Sequence, residues 1–332
     1  DLFGIKRIKI GPSFTKLPLD ILLCLKASWK MITGRYDLIF SHEEGGWAGS
    51  VLARTWRVPH VYDMHSSLPQ QLNNYEFTRS SLIAGIFQFL ERMVLSSSAG
   101  IIVICPDLRR TVIKEGFEKK TVLLENFIDF DHPSHSADEI RSKKILIAPQ
   151  NEKIILYAGN FQPYQGILLL LEALAELKDR PVKLLLVGGK GEELENIKNL
   201  VHRMDLGSKV FFTGQVPPSD VPLFIEVTDA LVSPRISGTN TPLKIYSFLK
   251  SGKPLVATKL WTHTQVLNEK IAILAEPDAK GMAAGIHKAL FETEGQKRAD
   301  AAKAYADREF TYSKYQEKIT MVLEMALGKA KG

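Results

Sequence analysis

Short apolar runs alternate with longer segments of helical periodicity along most of this chain. The runs are rich in β-branched and aromatic residues, as buried strands are, and the segments between them carry apolar residues at spacings of three and four. Such alternation predicts βαβ units and parallel sheets. The runs interpreted as strands occupy 36–41, 58–65, 99–105, 121–126, 153–159, 182–189, 209–214, 229–234, 254–258 and 271–276.

One polar stretch, residues 129–151, interrupts this alternation. It is rich in His, Ser and Pro, and we interpret it as the connection between two domains. A length of 332 residues is also typical of two domains. The sequence therefore predicts an α/β fold with two Rossmann-like, doubly wound parallel-sheet domains, the first over 1–145 and the second over 150–308. The tail from Lys280 to Ala330 is predicted to be helical, with a break near Phe310.

Composition narrows the class of protein. The chain has two cysteines, which excludes a disulfide framework and a four-cysteine zinc site, and no apolar run is long enough to span a membrane. We therefore expect a cytoplasmic protein. The net charge is +6, and residues 1–35 hold seven basic residues against two acidic ones. Such a basic face is typical of contact with an anionic membrane or nucleic acid, and equally of a solvated helix surface.

Several common catalytic motifs are absent from the sequence. The chain has no P-loop, no nucleophile elbow and no zinc-protease helix. The glycine-rich segment 188–194 lacks the third glycine of the dinucleotide fingerprint, which argues against NAD binding. Asp129 and Asp131 form a D-x-D pattern beside His132 and His135. Short acidic patterns arise by chance, so we predict no metal site there.

Polar loops follow several predicted strands, which is where parallel sheets bind their ligands. These loops are 42–46, 63–67, 159–161, 214–217 and 234–243. In the last of them, Arg235 and Lys244 flank Pro242, a residue suited to the first turn of a helix. Two cations beside a helix start predict a site for a phosphate-bearing ligand.

Five segments of the sequence carry a resemblance to a known family. They are VPHVYDMHSS, TVLLENFID, IILYAGNFQPYQGILLLLEAL, VFFTGQVPPSDVP and NTPLKIYSFLKSGKPLVAT. In order and spacing they resemble the retaining family 4 glycosyltransferases of the GT-B fold. The resemblance implies two domains facing each other across a cleft and a nucleotide-sugar donor bound mainly by the second domain. It also implies transfer with retention at the anomeric carbon, with no bound metal or other cofactor.

The resemblance assigns roles to individual residues. His65 matches a histidine that contacts the donor sugar beside the reacting carbon, with an ordinary loop histidine as the alternative. Asn126 matches an asparagine that closes the first domain. The predicted catalytic residues are His65 and Lys244, together with Arg235, which is selected by its charge beside the predicted phosphate site and not by the resemblance. The donor-binding residues implied are Gly159, Asn160, Gln165, Gly214, Val216, Thr239, Asn240, Thr241, Leu243 and Ser247.

Four positions depart from the family's pattern. Asn160 and Gln165 stand where many members have basic residues, and Thr239 and Ser247 replace the glutamates of an E-x7-E pair. We interpret the site as rearranged, with the cations of segment 234–244 stabilising the leaving diphosphate. The neutral replacements form weaker hydrogen bonds than charged groups do. A weak or inactive enzyme stays open as the alternative.

The function predicted on this basis is that of a hexosyltransferase. It would move a sugar from a nucleotide-sugar, a UDP-sugar first among them, to a lipid-linked or polysaccharide acceptor in bacterial-type glycan synthesis. Two alternatives stay open: an inactive GT-B module that binds a nucleotide, and a nucleotide-sugar isomerase or hydrolase. Nucleic acid is not a predicted partner, because the basic face lacks interleaved aromatic residues.

The two ends of the chain carry further expectations. The resemblance implies that the first domain lacks its first strand–helix units and that a helix over 311–330 crosses back to that domain. Residues 17–36 form an amphipathic pattern, with Leu25 and Trp29 on an apolar face. We expect that face to pack against the sheet. The basic residues of 6–35 would then hold the protein peripherally on an anionic, cytoplasmic membrane surface, at about 1 kcal/mol each.

Overall fold

A computed structural model describes residues 17–43, 45–67, 69, 81–125 and 135–328. Contacts within the chain define two compact units. The first contains the chain up to Glu125 together with the residues from Gln316 onward, and the second is Asn126–Tyr315. Several residues considered above lie outside the described residues, namely Glu44, Asn126, Asp129, Asp131, His132 and the basic residues before Leu17.

The first unit is built on a parallel four-stranded sheet. Its strands are β1 (Ile39–His42), β2 (His60–Met64), β3 (Gly100–Val103) and β4 (Thr121–Leu123), which pair in chain order. Its described helices include α1 (Leu17–Thr33), α2 (Gly45–Trp56), α3 (Ser81–Ser97) and α4 (Pro106–Lys114). Every residue of β2 and β3 is buried, as is typical of parallel strands covered on both faces.

The second unit contains a parallel six-stranded sheet. Its strands are β5 (Lys153–Ala158), β6 (Val182–Val187), β7 (Val210–Gly214), β8 (Ala230–Ser233), β9 (Leu255–Thr258) and β10 (Ile273–Ala275). Its helices are α5 (Ala137–Ile147), α6 (Ile167–Glu176), α7 (Gly191–Arg203), α8 (Val221–Val227), α9 (Lys244–Lys250), α10 (Trp261–Thr264), α11 (Ala279–Phe291) and α12 (Thr293–Glu309), and α13 (Tyr312–Ala326) follows them.

The strands of this second sheet lie in the order β7-β6-β5-β8-β9-β10. The chain therefore starts at the centre, proceeds to one edge and returns to the centre for the other half, which is the doubly wound order. Ile155 and Tyr157 point into one buried apolar cluster, and Ile154 and Leu156 point into another on the opposite face. The order makes β5 and β8 neighbours, and between them lies the switch point where such sheets bind ligands.

The predicted fold class, two α/β units with parallel sheets, is confirmed. The predicted doubly wound order is found in the second sheet, whereas the four described strands of the first sheet lie in chain order. Each of the ten predicted strands corresponds to a strand of the described residues, although β1 begins later than predicted, at Ile39. The prediction of one polar connection over 129–151 is wrong for its second half, because α5 forms there. The helix begins where the Ser136 hydroxyl accepts a hydrogen bond from the Glu139 N–H (3.2 Å), and Ile147 at its end is buried. A helix packed on the second unit replaces the expected linker.

The last helix, α13, contributes to the first unit from Gln316 onward. Its Val322 is buried against Gly100 of β3, where an added Cβ would lie 2.7 Å from the Val322 Cγ2 atom. Lys318 Nζ lies 4.0 Å from Glu125 Oε2. Gly100 is thus the position at which β3 leaves room for the helix.

Helix α1 differs from its expected environment. We expected its apolar face to pack on the sheet, yet the side chains of Ile21, Leu25, Trp29 and Ile32 are between 54% and 68% exposed among the described residues. Within that same part of the chain, none of the helices has both the length and the apolar character needed to cross a bilayer.

Candidate functional site

Two loops meet at the switch point of the second sheet, one after β5 and one after β8. Gly166 ends the first loop with a φ of +74°, and a Cβ at this position would lie 1.9 Å from the Pro234 carbonyl oxygen of the second. The Ile236 N–H donates a hydrogen bond to the Tyr164 carbonyl (3.0 Å). Only glycine fits this close approach, so Gly166 fixes the spacing of the two loops.

Backbone contacts also join the ends of β5, β6 and β7. The Gly159 N–H donates to the Val187 carbonyl (3.0 Å), and the Gly188 N–H donates to the Gly214 carbonyl (2.9 Å). A Cβ on Gly188 would lie 2.0 Å from the Gly159 carbonyl oxygen. The structure therefore places Gly159 and Gly214 along one edge of the sheet. Sequence reasoning missed Gly188 as part of this edge, although the double glycine after β6 was visible.

Lys244 lies directly against the end of β5. Its Nζ donates a hydrogen bond to the Ala158 carbonyl (3.1 Å) and lies 4.0 Å from the centroid of the Tyr157 ring. Burial, and secondarily the nearby Arg235 guanidinium, lowers the pKa of the Lys244 ammonium to about 7. Among the described residues, no carboxylate forms an ion pair with Lys244.

Arg235 organises the loop after β8. One guanidinium nitrogen, Nη1, donates to the Asn240 carbonyl (2.8 Å) and to the Thr262 hydroxyl (3.1 Å). The guanidinium carbon lies 5.0 Å from the centroid of the Tyr164 ring. Arg235 therefore holds the backbone of its own loop in addition to placing a positive charge beside it.

The helix after this loop begins later than predicted. We expected it to start at Pro242, and α9 instead begins at Lys244 and is seven residues long. The Ile245 N–H donates to the Pro242 carbonyl (3.0 Å), so one amide at its start is already bonded. The positive character of this loop therefore comes mainly from Arg235 and Lys244.

The neutral residues at the family's charged positions occupy different environments. Gln165 is buried, and its Oε1 atom has no hydrogen-bond partner in the described part of the chain; the same is true of the Thr241 hydroxyl. Asn160 is exposed and its Oδ1 accepts from the Gln162 N–H (3.4 Å). Two buried polar atoms thus remain available to a ligand at this edge.

The other predicted donor-binding residues are distributed around these loops. Thr239, Asn240 and Ser247 are half-buried, Leu243 is 57% exposed, and Val216 packs on the apolar core beside α8. The Thr239 carbonyl accepts a hydrogen bond from the Gln265 side chain (2.7 Å).

His263 is a residue of this region that sequence reasoning missed. It is fully buried, with Nε2 2.8 Å from the Ser233 hydroxyl and Nδ1 3.0 Å from the Thr258 hydroxyl. Burial lowers its pKa to about 3. A neutral imidazole therefore links the ends of β8 and β9 beneath the loop of Arg235, and a lone histidine in a short helix gave no signal of this.

In the first unit, polar side chains gather where β1 and β2 end. His65 Nε2 lies 3.1 Å from Asp63 Oδ2, and His42 Nδ1 lies 2.8 Å from the same oxygen. The hydrogen bond to Asp63 raises the pKa of His65, against the opposing effect of burial. Beside them the Ser66 hydroxyl donates to Glu43 Oε2 (2.6 Å). The sequence singled out His65, and the structure adds Asp63 and His42 as its neighbours.

Comparison with known proteins follows the same division of the chain. Residues 138–308 match the family model described as glycosyl transferases group 1, and residues 3–132 match that of glycosyltransferase family 4. The D-inositol 3-phosphate glycosyltransferase of Corynebacterium jeikeium is 27% identical over 68% of this chain and 56% of its own. The phosphatidyl-myo-inositol mannosyltransferase of Mycobacterium leprae is 25% identical over 89% of this chain and 75% of its own. The chain thus spans little more than half the length of the first of these relatives.

Solved structures show the same fold. HepE of Anabaena in complex with UDP superposes with a TM-score of 0.76 at 20% identity, covering 95% of this chain and 84% of its own. Sucrose-phosphate synthase of Thermosynechococcus elongatus gives 0.77 at 20% identity, with coverages of 98% and 82%. With two parallel sheets of this order and family models matching both halves of its sequence, the chain belongs to the family 4 glycosyltransferases of the GT-B fold.

Proposed function

We propose that this chain transfers a sugar from a UDP-sugar to a lipid-linked or polysaccharide acceptor, with retention at the anomeric carbon and without a required metal. One observation carries the proposal. Lys244 and Arg235 place two positive charges at the switch point of the second sheet, beside the glycine turn at Gly159. That is the position at which doubly wound sheets bind phosphate groups.

The environment of Lys244 favours an anionic ligand. Removing an ammonium from water is costly unless a negative charge compensates it, and the described residues provide no carboxylate partner for this one. Within the described ranges, the ammonium donates a hydrogen bond to the Ala158 carbonyl, a neutral acceptor. A diphosphate would supply the missing charge and would raise the lowered pKa of Lys244. The same contact would stabilise the charge that develops on the departing nucleoside diphosphate.

The remaining parts of the site have complementary roles in this proposal. The orphaned Gln165 Oε1 and Thr241 hydroxyl are suited to hydrogen bonds with ligand hydroxyl groups. His65 contacts the donor sugar. The acceptor class is supported by the relatives, one of which is named an alpha-monoglucosyldiacylglycerol synthase and another a colanic acid biosynthesis glycosyl transferase.

Peripheral membrane binding is also part of the proposal. The exposed residues Leu25, Trp29 and Ile32 of α1 form an apolar surface, and the exposed Lys26 and Lys30 lie on the same helix. An amphipathic helix of this kind inserts apolar side chains between headgroups while its cations contact anionic lipids. The electrostatic attachment expected from the sequence is thereby extended to include apolar insertion.

The donor is tested by thermal unfolding of the purified chain with UDP-, GDP- and ADP-sugars. We expect a UDP-sugar to stabilise the protein most, by about 2.7 kcal/mol at 100 times its Kd. Lys244→Met should reduce the shift to about 0.3–1.4 kcal/mol at the same ligand concentration, whereas Lys270→Met, on an exposed loop, should retain it in full. Stabilisation by none of the three classes would contradict the proposed function.

The reaction is tested by supplying the UDP-sugar with a lipid extract and with polysaccharide fragments. Transfer should require the acceptor, and the anomeric configuration of the product, read by NMR, should equal that of the donor. Release of free UDP without an acceptor would favour the hydrolase or isomerase alternative. Donor binding without any turnover would favour the binding module.

A further inference from the structure

Three side chains of the first unit are brought to one point by the pairing of β1 with β2. The strands are parallel, and the register sets His42 opposite Asp63. His65 follows Asp63 by two residues, and side chains two apart on an extended chain point to the same face. Register and alternation together place two imidazoles and one carboxylate on the same side of the sheet, at the ends of neighbouring strands.

The ligand atoms of these residues lie close together. His42 Nδ1 and His65 Nε2 lie 2.8 and 3.1 Å from Asp63 Oδ2, and the three atoms all lie within 4.8 Å of one another. Ligand atoms on a tetrahedral zinc ion are separated by about 3.4 Å, given bond lengths near 2.1 Å. The two spacings to Asp63 Oδ2 are a few tenths of an ångström shorter, so small side-chain movements would admit an ion. The two imidazole rings lie edge to face, with their centroids 5.5 Å apart.

A second observation points to a missing ligand. Asp63 is 8% exposed, and its second carboxylate oxygen, Oδ1, is buried with no hydrogen-bond partner in the described part of the chain. A buried carboxylate oxygen without a partner is costly. A cation shared by the cluster would compensate the charge of this carboxylate, whereas the side chains of His42 and His65 are 57% and 42% exposed and leave the site open to solvent.

We propose that His42, Asp63 and His65 bind one divalent transition-metal ion, for which Zn²⁺ is the best match. Two imidazole nitrogens and one carboxylate oxygen form a donor set that suits Zn²⁺ and disfavours Mg²⁺ and Ca²⁺, which take oxygen ligands. Three protein ligands leave the fourth position of a tetrahedral ion for water or a solute. The ion is not required for sugar transfer.

The site has a consequence that rests on the proposed function. An ion bound to His65 adds a positive charge and further ligands beside the ring that, in the proposed function, contacts the donor sugar. Zn²⁺ therefore inhibits transfer reversibly, and a chelator restores it. Binding of the ion is measured without any transfer reaction. The metal site can therefore be disproved while the proposed function stands, and the proposed function can be disproved while the metal site stands.

Binding is measured by calorimetry with tag-free protein freed of metal by a chelator, using Zn²⁺ as the probe, and by the visible absorption of Co²⁺. We expect one ion per chain. His42→Ala removes an exposed ligand without disturbing the core, and it should weaken Zn²⁺ binding at least tenfold. Asp63→Asn should do the same, with circular dichroism to verify its fold. His202→Ala, an exposed histidine on α7, should leave the affinity unchanged.

Two results would overturn the site: no Zn²⁺ binding to the wild-type chain, or binding of equal strength in wild type and His42→Ala. In the transfer assay, Zn²⁺ should inhibit the wild type at concentrations near its measured Kd and should inhibit His42→Ala only at tenfold higher concentrations. Zn²⁺ binding without inhibition would overturn the inhibitory role and leave the site standing.

Discussion

The carboxyl ends of the two sheets carry opposite chemistry. In the second unit, Lys244 and Arg235 lie against a backbone rich in glycine, and the Lys244 ammonium faces the Tyr157 ring and the Ala158 carbonyl. In the first unit, the carboxylate of Asp63 lies between two imidazoles. Both sheets are parallel and place polar groups at the same topological position, so the fold specifies where ligands bind and the side chains specify which ligands. The second site suits an anion and the first suits cations and hydrogen-bond donors.

The largest effect is expected from the contact of Gly166 with the Pro234 carbonyl, which sets the spacing of the loops after β5 and β8. Gly166→Ala adds a Cβ 1.9 Å from the Pro234 carbonyl oxygen at a φ of +74°. We expect it to lower the free energy of unfolding of the second unit by about 2–4 kcal/mol, measured by urea denaturation. Gly191→Ala is the control, because its φ is also positive and no atom lies within 4 Å. Equal losses would show that the loop contact contributes nothing.

Lys244→Met tests whether the second site binds the anion. Loss of a charge-assisted hydrogen bond costs about 1.5–3 kcal/mol, so affinity for a nucleotide-sugar should fall roughly 10- to 150-fold. Calorimetry provides the measurement, and Lys270→Met is the matched control. If Lys244→Met binds the nucleotide-sugar as tightly as the wild type does, Lys244 does not bind the anion, and the ends of the two sheets do not differ in ligand charge.

The same lysine predicts a pH dependence. Its pKa is lowered to about 7, so raising the pH through neutrality removes the charge that attracts the diphosphate. The two phosphates of a nucleotide-sugar stay ionised in this range, and binding should weaken by up to about tenfold between pH 6 and pH 8. The neighbouring groups do not titrate there, because burial lowers the pKa of His263 to about 3 and raises that of Tyr157. Lys244→Met should give a flat profile; a profile that keeps its slope would assign the effect to another group.

His65→Ala tests the cluster of His42, Asp63 and His65, where we expect an effect on kcat instead of on the Kd of the nucleotide-sugar. A hydrogen bond to a sugar hydroxyl contributes about 0.5–1.5 kcal/mol, so kcat should fall by up to about tenfold while the Kd of the nucleotide-sugar stays the same. The assay contains a chelator, and His202→Ala serves as the control. A loss of affinity with unchanged kcat would place His65 with the nucleotide-binding groups instead.

The smallest effect concerns the surface of the first unit. Trp29→Ser should reduce sedimentation with anionic vesicles a few-fold, because insertion of the indole contributes to attachment alongside about 1 kcal/mol per nearby cation. Phe291→Ser, an exposed aromatic of the second unit, is the control. Retention of full binding by Trp29→Ser at high salt would argue against insertion of α1.

Most of the fold could be predicted from the sequence, because strand and helix periodicity are local. The helix α5 was not predicted, because it lies in a polar segment without an apolar stripe. Its sequence signals are the Ser136 cap and one buried residue, Ile147. Its stability comes from tertiary packing, and the interaction of Lys144 with Asp229 of the second unit (3.3 Å) has no local signature.

Less of the candidate site could be predicted. The sequence indicated which loops hold polar residues. The resemblance selected His65 and Lys244 among them, and positive charge beside a predicted helix start selected Arg235. The contacts of Lys244 with the Tyr157 ring and the Ala158 carbonyl were not predictable from the sequence. These residues meet only because the end of β5 and the start of α9 are adjacent in the folded unit. The same holds for Gly188, whose close approach to Gly159 depends on strand pairing.

The sequence by itself therefore determined the alternation of strands and helices, the loops at the strand ends and the membership of the family. Only the tertiary structure decided that β5 neighbours β8, that the Lys244 ammonium is buried with a lowered pKa, and that His42 stands opposite Asp63. The physical reason is range. Periodicity and turn chemistry act over a few residues, whereas strand register, desolvation and atomic contacts arise when distant segments pack together.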